Sequence, residues 1–162
     1  MVTHQGDLAL LELPVAQELL QAKIPARFAY VRSDGTPEVV PIGFHWNGKE
    51  FVIGTFPNSA KMHALRDGDK VALTIDTDSL PYKVLRVRGN VRTDVFAGIA
   101  PEYEAMTLRN LGNEAGRAWI EQMRPITPNM ARIFVTPEWV CVQDFQTRFP
   151  NEIERAMEGA GA

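Results

Sequence analysis

The sequence predicts a mainly β protein of the α+β class, an antiparallel sheet closed into a small barrel with short peripheral helices. Three observations support this prediction. About six or seven short segments alternate apolar and polar residues, turn residues separate them, and helical spacing returns only in short stretches between or beside them. Antiparallel strands joined by short turns suit a small barrel better than a parallel βαβ sheet.

The first third of the chain reads as one helix and an antiparallel meander. Apolar residues recur at helical spacing in LPVAQELLQAK, and Pro14 is tolerated in a first helical turn because its missing N–H would have no partner there. The period then changes to two through ARFAYVR, EVVPIGFHW and KEFVIGT. Between the last two segments, Asn47-Gly48 predicts a two-residue hairpin, which needs positive φ at both central positions.

The remaining segments extend the sheet and add a helical pair. KVALTID and YKVLRVRGNVRTDV alternate again, and Gly89 in the second predicts a bulge. APEYEAMTLRNLGNEAGRAWIEQM has helical spacing and is divided by Gly112, while MARIFVTPEWVCVQDF forms two strand-like runs that pivot at Pro137. We expect a single domain over residues 1–150 and a polar, weakly helical tail over residues 151–162.

The composition argues against a general nucleic-acid-binding protein. The chain has 162 residues and a formal net charge of -3, whereas such a protein needs a basic surface to neutralise phosphates. The beginning of the chain lacks the basic and apolar regions of a secretory leader, and no stretch approaches the length of a membrane span. We therefore expect a cytoplasmic protein without a membrane or nucleic-acid partner.

Metal sites and the common catalytic motifs are not indicated. Cys141 is the only cysteine, so no internal disulfide or site with several thiolates is possible, and its apolar neighbours predict a buried thiol. His4, His45 and His63 lack the spacing of zinc ligands. The glycine-containing motifs of serine hydrolases, P-loop proteins and dinucleotide-binding domains are missing from the sequence.

The segment TFPNSAKMHALRDGD contains a candidate anion site. Ser59 is the expected cap of a short helix, and Lys61 would lie in its first turn, where a cation opposes the helix dipole unless a bound anion compensates. Thr55, at the end of the preceding strand, would add a second hydroxyl, giving a cradle suited to a phosphomonoester. The alternative is that Ser59 only caps the helix and Lys61 is a solvated side chain.

A second candidate site lies on the long strand. Alternation places Leu85, Val87 and Val91 on one face, and Arg86, Arg88 and Arg92 on the other. The arginine face would suit an anionic cofactor tail or substrate. The alternative is an ordinary solvated face, which antiparallel sheets commonly have.

The order of these elements resembles the pyridoxamine phosphate oxidase-like family of flavin-binding split barrels, from about Ile24 to Phe145. The resemblance implies an antiparallel six-stranded split β-barrel that forms a homodimer and binds FMN noncovalently at the dimer interface. It also implies flavin-dependent electron or hydride transfer with a small-molecule substrate and a reductant.

The resemblance also implies cofactor-binding residues. In the family, a strand that ends in threonine is followed by a Ser-Arg-Lys motif that holds the FMN phosphate, and Thr55, Ser59 and Lys61 occupy the matching positions. Ala60 stands where the family has arginine. The strand EVVPI resembles the family strand along the isoalloxazine ring. This makes three of its residues implied ring contacts, with plain strand core as the alternative: Val40, Pro41 and Ile42.

Departures from the family pattern keep other functions open. Because Ala60 replaces the family's arginine, a deazaflavin (coenzyme F420) is an alternative cofactor, and Arg86 and Arg88 would bind its longer anionic tail. Val84 replaces the glutamine of the vitamin B6 oxidases, so that activity is not expected. Trp139 and Arg148 are the only candidates for the oxidases' C-terminal substrate signature. A noncatalytic flavin or haem carrier is a third possibility, and no catalytic residue is assigned.

Overall fold

The computed structural model describes residues 4–160, and these form one antiparallel sheet with helices around it. The mainly β class is confirmed. The described strands are β1 (Ala26–Val31), β2 (Pro37–Ile42), β3 (His45–Trp46), β4 (Phe51–Thr55), β5 (Lys70–Asp76), β6 (Val84–Ala97) and β7 (Asn129–Gln143). The described α-helices are α1 (Pro14–Gln21), α2 (Ala60–Ala64), α3 (Pro101–Leu111), α4 (Asn113–Met123) and α5 (Asn151–Ala160), and two 3-10 helices cover Leu8–Glu12 and Arg124–Ile126.

The sheet is open rather than closed. Its strand order is β2-β1-β5-β6-β7-β4-β3, so β2 and β3 are its two edges. The prediction of a closed, six-stranded barrel is therefore wrong in closure and in strand number, although an open sheet is consistent with a split barrel. The edge position suits β2 because Pro37 and Pro41 have no N–H to donate to another strand.

The hairpin between β3 and β4 differs from the predicted two-residue turn. Trp46 pairs with Phe51, which leaves a four-residue loop. The Asn47 side chain accepts hydrogen bonds from the backbone N–H groups of Lys49 and Glu50 at 2.9 and 2.7 Å. In the observed loop the Asn47 side chain caps these backbone N–H groups. This conformation replaces the predicted two-residue turn, in which Asn47 would need positive φ.

The long strands β6 and β7 show the irregularity predicted at Gly89. Trp139 lies opposite Arg88 and Pro137 lies opposite Gly89, so the extra residue is Glu138 on β7 rather than a residue of β6. A Cβ atom on Gly89 would collide with the carbonyl oxygen of Thr136. Glycine at this position therefore permits the close approach of the two strands.

Two apolar clusters lie on either side of the sheet. The larger one packs α1 and the first 3-10 helix against inward-facing strand residues, including Phe28, Phe51 and Leu85. The smaller one joins α3 and α4 to the start of β7, and includes Ile120 and Met130. Cys141 is a buried free thiol, as predicted.

The end of the described chain is helical but shallowly packed. Residues 151–160 of the expected tail form α5, none of whose residues is buried. Residues 161–162 of that tail lie outside the described residues. Among residues 4–160, no helix is long and apolar enough to cross a membrane.

Candidate functional site

The predicted phosphate-binding segment opens onto a cavity between the sheet and α3. We call it the β4–α3 cavity, and its volume is about 440 Å³. Four of the seven predicted cofactor-binding residues line it: Pro41, Ile42, Thr55 and Lys61. Residues from β2, β4 and α2, far apart in sequence, therefore meet at one site.

The local fold explains why Thr55 and Lys61 face the same cavity. Strand β4 ends at Thr55, and the backbone N–H of Ser59 donates to the Phe56 carbonyl at 3.0 Å to close a turn. Ser59 is the N-cap of α2, as predicted, and its hydroxyl accepts from the Met62 N–H at 3.5 Å. The turn thus reverses the chain between the end of β4 and the start of α2.

Three of the predicted residues lie beside the cavity rather than in its wall. Val40 packs against the larger apolar cluster, in line with the alternative that it is strand core. Ser59 serves as a helix cap, and Ala60 is exposed. Their proposed contact with a cofactor remains a prediction.

Lys61 contributes a positive charge to the cavity. Its side chain is half-buried, and within the described residues 4–160 no carboxylate lies within ion-pair distance of it. The nearby wall from β2 is apolar. A ligand with an anionic group at Lys61 and a flat apolar part against Pro41 and Ile42 would match this distribution of charge.

The opposite wall comes from α3 and its neighbours, which the sequence analysis did not assign to a site. Its lining residues are Tyr103, Met106, Asn110, Met123 and Met130. The first three recur at helical spacing on α3, so the pattern indicates one helix face. The sequence did not indicate which strand that face would cover.

Two glycines let α3 approach the sheet closely. A Cβ atom on Gly54 would lie 2.8 Å from Met130 Sδ and 3.0 Å from Tyr103 Cδ2. A Cβ atom on Gly43 would lie 2.6 Å from Met106 Sδ. At these distances the neighbouring side chains would have to shift, so a Cβ atom at either position would crowd Tyr103 or Met106 of α3.

An ion-pair network holds α3 in place over the sheet. Arg132 on β7 contacts Asp94 on β6 at 2.6 Å and Glu102 in the first turn of α3 at 3.2 Å. The indole N–H of Trp119 on α4 donates to the Tyr103 hydroxyl at 2.9 Å. These contacts position the α3 wall of the cavity.

The histidines are not grouped as metal ligands. Burial, and then the positive charge of Arg109, lower the pKa of His45, so the imidazole is neutral at pH 7. His63 is exposed on α2. Among residues 4–160, no group of three or more His, Cys, Asp or Glu side chains is arranged to hold a metal ion.

The predicted arginine face of β6 is exposed, but its three members have different surroundings. Arg92 pairs with Glu50 at 3.0 Å. The guanidinium carbons of Arg88 and Arg86 lie 3.9 and 5.7 Å from the centre of the Trp139 ring. Arg86 and Arg88 therefore form a separate pair on the indole, away from Arg92.

Arg148, the remaining sequence candidate, belongs to the loop before α5. Its backbone N–H donates to Asp144 Oδ1 at 2.8 Å. Neither Arg148 nor Trp139 lines the β4–α3 cavity. The structure therefore does not bring these two residues to the predicted phosphate-binding segment.

Comparison with known proteins identifies a family and a fold. The family model described as pyridoxamine 5′-phosphate oxidase matches residues 13–143. No curated protein sequence matches the chain significantly.

Solved structures with a similar fold include a conserved hypothetical protein, Rv2991, from Mycobacterium tuberculosis. It is 14% identical, the match covers 90% of this chain and 91% of that chain, and the TM-score is 0.65. An F420 reductase is 23% identical over 77% of this chain and 94% of its own, with a TM-score of 0.56. A FAD- and haem-binding protein from Mycobacterium smegmatis is 19% identical over 86% of this chain and 75% of its own, with a TM-score of 0.52. At these identities the likeness shows the fold alone.

Proposed function

The chain belongs to the pyridoxamine 5′-phosphate oxidase family, and on this basis we propose that it is a flavin-dependent oxidoreductase that binds FMN in the β4–α3 cavity. One observation carries the proposal: Thr55 and Lys61 share a cavity with the apolar strand residues Pro41 and Ile42. A volume of about 440 Å³ is within the range of small-molecule sites.

In this proposal the phosphate lies at Thr55 and Lys61, with the cap residue Ser59 stabilising the turn between them. Ala60 offers no guanidinium, so Lys61 supplies the cationic contact. The bound flavin would supply electron or hydride transfer. The chain's own residues would orient it: β2 supports one side of the ring, and Tyr103 and Met106 exclude water from the other.

We propose that the functional unit is a homodimer. The cavity is open on one side, so a flat aromatic cofactor held between β2 and α3 would still expose one edge to water. A second copy of the chain would complete the pocket at the interface. The substrate and the reductant would be small molecules that enter at this interface.

A deazaflavin-dependent reductase is the second candidate, and the arginine pair favours it. Within residues 4–160, neither Arg86 nor Arg88 has a carboxylate within ion-pair distance. Pro41 of the cavity and Arg86 occupy one outward-facing row across β2, β1, β5 and β6. Three strand spacings correspond to about 14 Å, a distance that a long anionic tail could span. The F420 reductase is among the proteins of similar fold.

The visible absorption spectrum of the purified protein tests the proposal directly. We would record it before and after incubation with FMN and with a deazaflavin, and again after gel filtration. Retention of FMN would support the proposed function, and retention of only the deazaflavin would favour the second candidate. A colourless protein that retains neither would contradict both and leave Ser59 as a cap and Lys61 as a solvated lysine.

Stopped-flow reduction separates an enzyme from a noncatalytic flavin or haem carrier. The loaded protein would be mixed with a reduced nicotinamide cofactor or a reduced deazaflavin while the flavin absorbance is followed. Rapid bleaching that reoxidation reverses is expected of an oxidoreductase. Cofactor retention without reduction by any of these donors would favour a carrier.

A further inference from the structure

The β4–α3 cavity is poor in charge. Of the residues between 4 and 160 that line it, Lys61 is the only one with a formal charge, and no carboxylate is among them. The proposed function assigns this lysine to a cofactor phosphate. The rest of the lining therefore has neither a cation nor an anion with which to bind a second ligand.

The charged residues of α3 do not change this distribution. Glu102 is paired with Arg132 at 3.2 Å, and Arg109 donates to the Phe44 carbonyl at 2.7 Å. Neither of these α3 residues lines the cavity, and neither does Glu104. The helix therefore contributes only uncharged side chains to the cavity wall.

Three of the five residues in the wall opposite β2 are methionines. Met106 and Met130 lie against two glycines, since added Cβ atoms on Gly43 and Gly54 would be 2.6 and 2.8 Å from their sulfur atoms. Met123 is the third. Thioethers are polarisable and unbranched, so they make favourable contacts with aromatic rings and adapt to ligands of different shape. This wall favours an apolar ligand with a ring.

Asn110 is the amide in this wall, and its hydrogen-bonding capacity is only partly used. Its Nδ2 donates to Met106 Sδ at 3.3 Å, and its Oδ1 accepts from Arg109 Nε at 3.4 Å. Both bonds are weak, because sulfur is a weak acceptor and 3.4 Å is long. An amide has two N–H groups and two oxygen lone pairs, so residues 4–160 leave one donor and one acceptor position for a ligand.

We propose that the substrate is a small, uncharged, apolar ring compound that lies on the α3 wall with its polar group at Asn110. This inference rests on the proposed function, which places the cofactor phosphate at Lys61 and the cofactor ring against β2. A charged substrate on the α3 side would be buried without a partner, which is unfavourable. A phosphorylated substrate, which the family's name implies, would need a second cation, and the lining residues between 4 and 160 do not supply one.

Equilibrium dialysis of the FMN-loaded full chain at pH 7 tests this inference. The probes share a naphthalene ring and differ in charge: 2-naphthol is neutral, 2-naphthyl phosphate is anionic and 2-naphthylmethylamine is cationic. We expect 2-naphthol to bind at least about tenfold more tightly than either charged probe, because neither charge has a partner on the wall. The visible spectrum of the same samples reports whether FMN stays bound.

Two substitutions test the charge and the hydrogen bond separately. The new cation of Met106→Lys should raise the affinity for 2-naphthyl phosphate by about tenfold. Asn110→Leu removes one hydrogen bond and should lower the affinity for 2-naphthol by about fivefold. Met157→Lys is the matched control, since Met157 on α5 is 56% exposed and does not line the cavity. This control should keep the parent's order of affinities.

Circular dichroism would establish that each variant is folded. If Met106→Lys does not fold, the parent's order of affinities and the effect of Asn110→Leu decide the test.

Three results would overturn the inference. The first is binding of 2-naphthyl phosphate by the FMN-loaded parent as tightly as 2-naphthol, which would mean that another subunit supplies a cation. The second is release of FMN when 2-naphthol binds, because the neutral compound would then occupy the cofactor's place. The third is an unchanged affinity for 2-naphthol in Asn110→Leu. A chain that never retains FMN would contradict the proposed function itself, and the spectrum distinguishes that outcome from the other three.

Discussion

Arg132 on β7 and Asp94 on β6 are cross-strand partners and form an ion pair of 2.6 Å. The Arg132 side chain is only 18% exposed and also contacts Glu102 of α3. Replacing it with methionine would leave two partly buried carboxylates without their cation. We expect Arg132→Met to lower the free energy of unfolding by about 2 kcal/mol, measured by urea denaturation.

Arg124→Met is the control for this prediction. Arg124 pairs with Glu121 on the surface, where solvent screens the interaction. The stability of this variant should be almost unchanged. Equal losses in both variants would mean that the Arg132 network does not hold α3 to the sheet.

Gly54 sets the distance between α3 and β4. The Cβ atom of an alanine would lie within 3.0 Å of Met130 and Tyr103, so we expect Gly54→Ala to destabilise the fold by about 1 to 3 kcal/mol and to weaken flavin retention. Gly159→Ala on α5, where a Cβ meets open space, should stabilise slightly. Thermal unfolding of both variants tests this, and an unaffected Gly54→Ala would show that the side chains of Met130 and Tyr103 adjust to a Cβ atom without loss of stability.

Lys61 is the proposed phosphate contact. We expect Lys61→Ala to weaken FMN binding by about 1.5 to 3 kcal/mol, the value of one charged hydrogen bond, because no other cation of α2 lines the cavity. Fluorescence titration with FMN gives the affinity. Lys49→Ala, in the exposed loop between β3 and β4, should bind FMN normally. If Lys61→Ala unfolds instead, the lysine is structural and the phosphate site is wrong.

The arginine pair distinguishes the two cofactors. If a deazaflavin is the natural cofactor, Arg86→Ala and Arg88→Ala should weaken its binding and leave FMN binding almost unchanged, because FMN lacks the long anionic tail that these two arginines would bind. Isothermal titration with each cofactor measures this difference. Unchanged affinity for both cofactors would exclude a role of this pair in the deazaflavin site.

Asp144 makes stability depend on pH. Burial raises the pKa of Asp144, but hydrogen bonds from the Thr147 hydroxyl and from the N–H groups of Gln146, Arg148 and Thr147 outweigh burial and lower it to about 2. A folded-state pKa below the unfolded value stabilises the protein above about pH 4, and this contribution is lost as pH falls toward 2. Asp144→Asn should therefore lower stability at pH 7 by about 2 kcal/mol. Urea denaturation from pH 7 to pH 3 should show the difference shrinking, and a constant difference would contradict the assignment.

Much of the fold was predictable because its signals are local. Strand β5 follows from the alternation of KVALTID, and Gly112, with φ of 83°, divides α3 from α4 as expected. One error came from pairing between distant segments, and the other came from a local hydrogen bond of a side chain. Closure of the sheet depends on whether the edge strands β2 and β3 pair with each other. The hairpin at Asn47 depends on which backbone N–H groups donate hydrogen bonds to the Asn47 side chain.

The candidate site divides in the same way. Thr55, Ser59 and Lys61 were recognisable because strand end, cap and first turn are adjacent in the chain. Tyr103, Met106 and Met130 could not be assigned, since a helical pattern shows that one face is apolar and not which strand it covers. The sequence also did not show that Arg92 has a different partner from Arg86 and Arg88, because Glu50, in the loop before β4, and Trp139, on β7, are far from these arginines in the sequence.

By itself the sequence determined the elements, the buried faces of the long strands and the residues of one short segment that we propose to bind an anion, because these depend on periodicity and on neighbours along the chain. The tertiary structure decided that the sheet stays open, that α3 packs closely beside Gly43 and Gly54, and that two arginines contact Trp139. Those features depend on the register and packing of residues far apart in sequence, which no local pattern specifies.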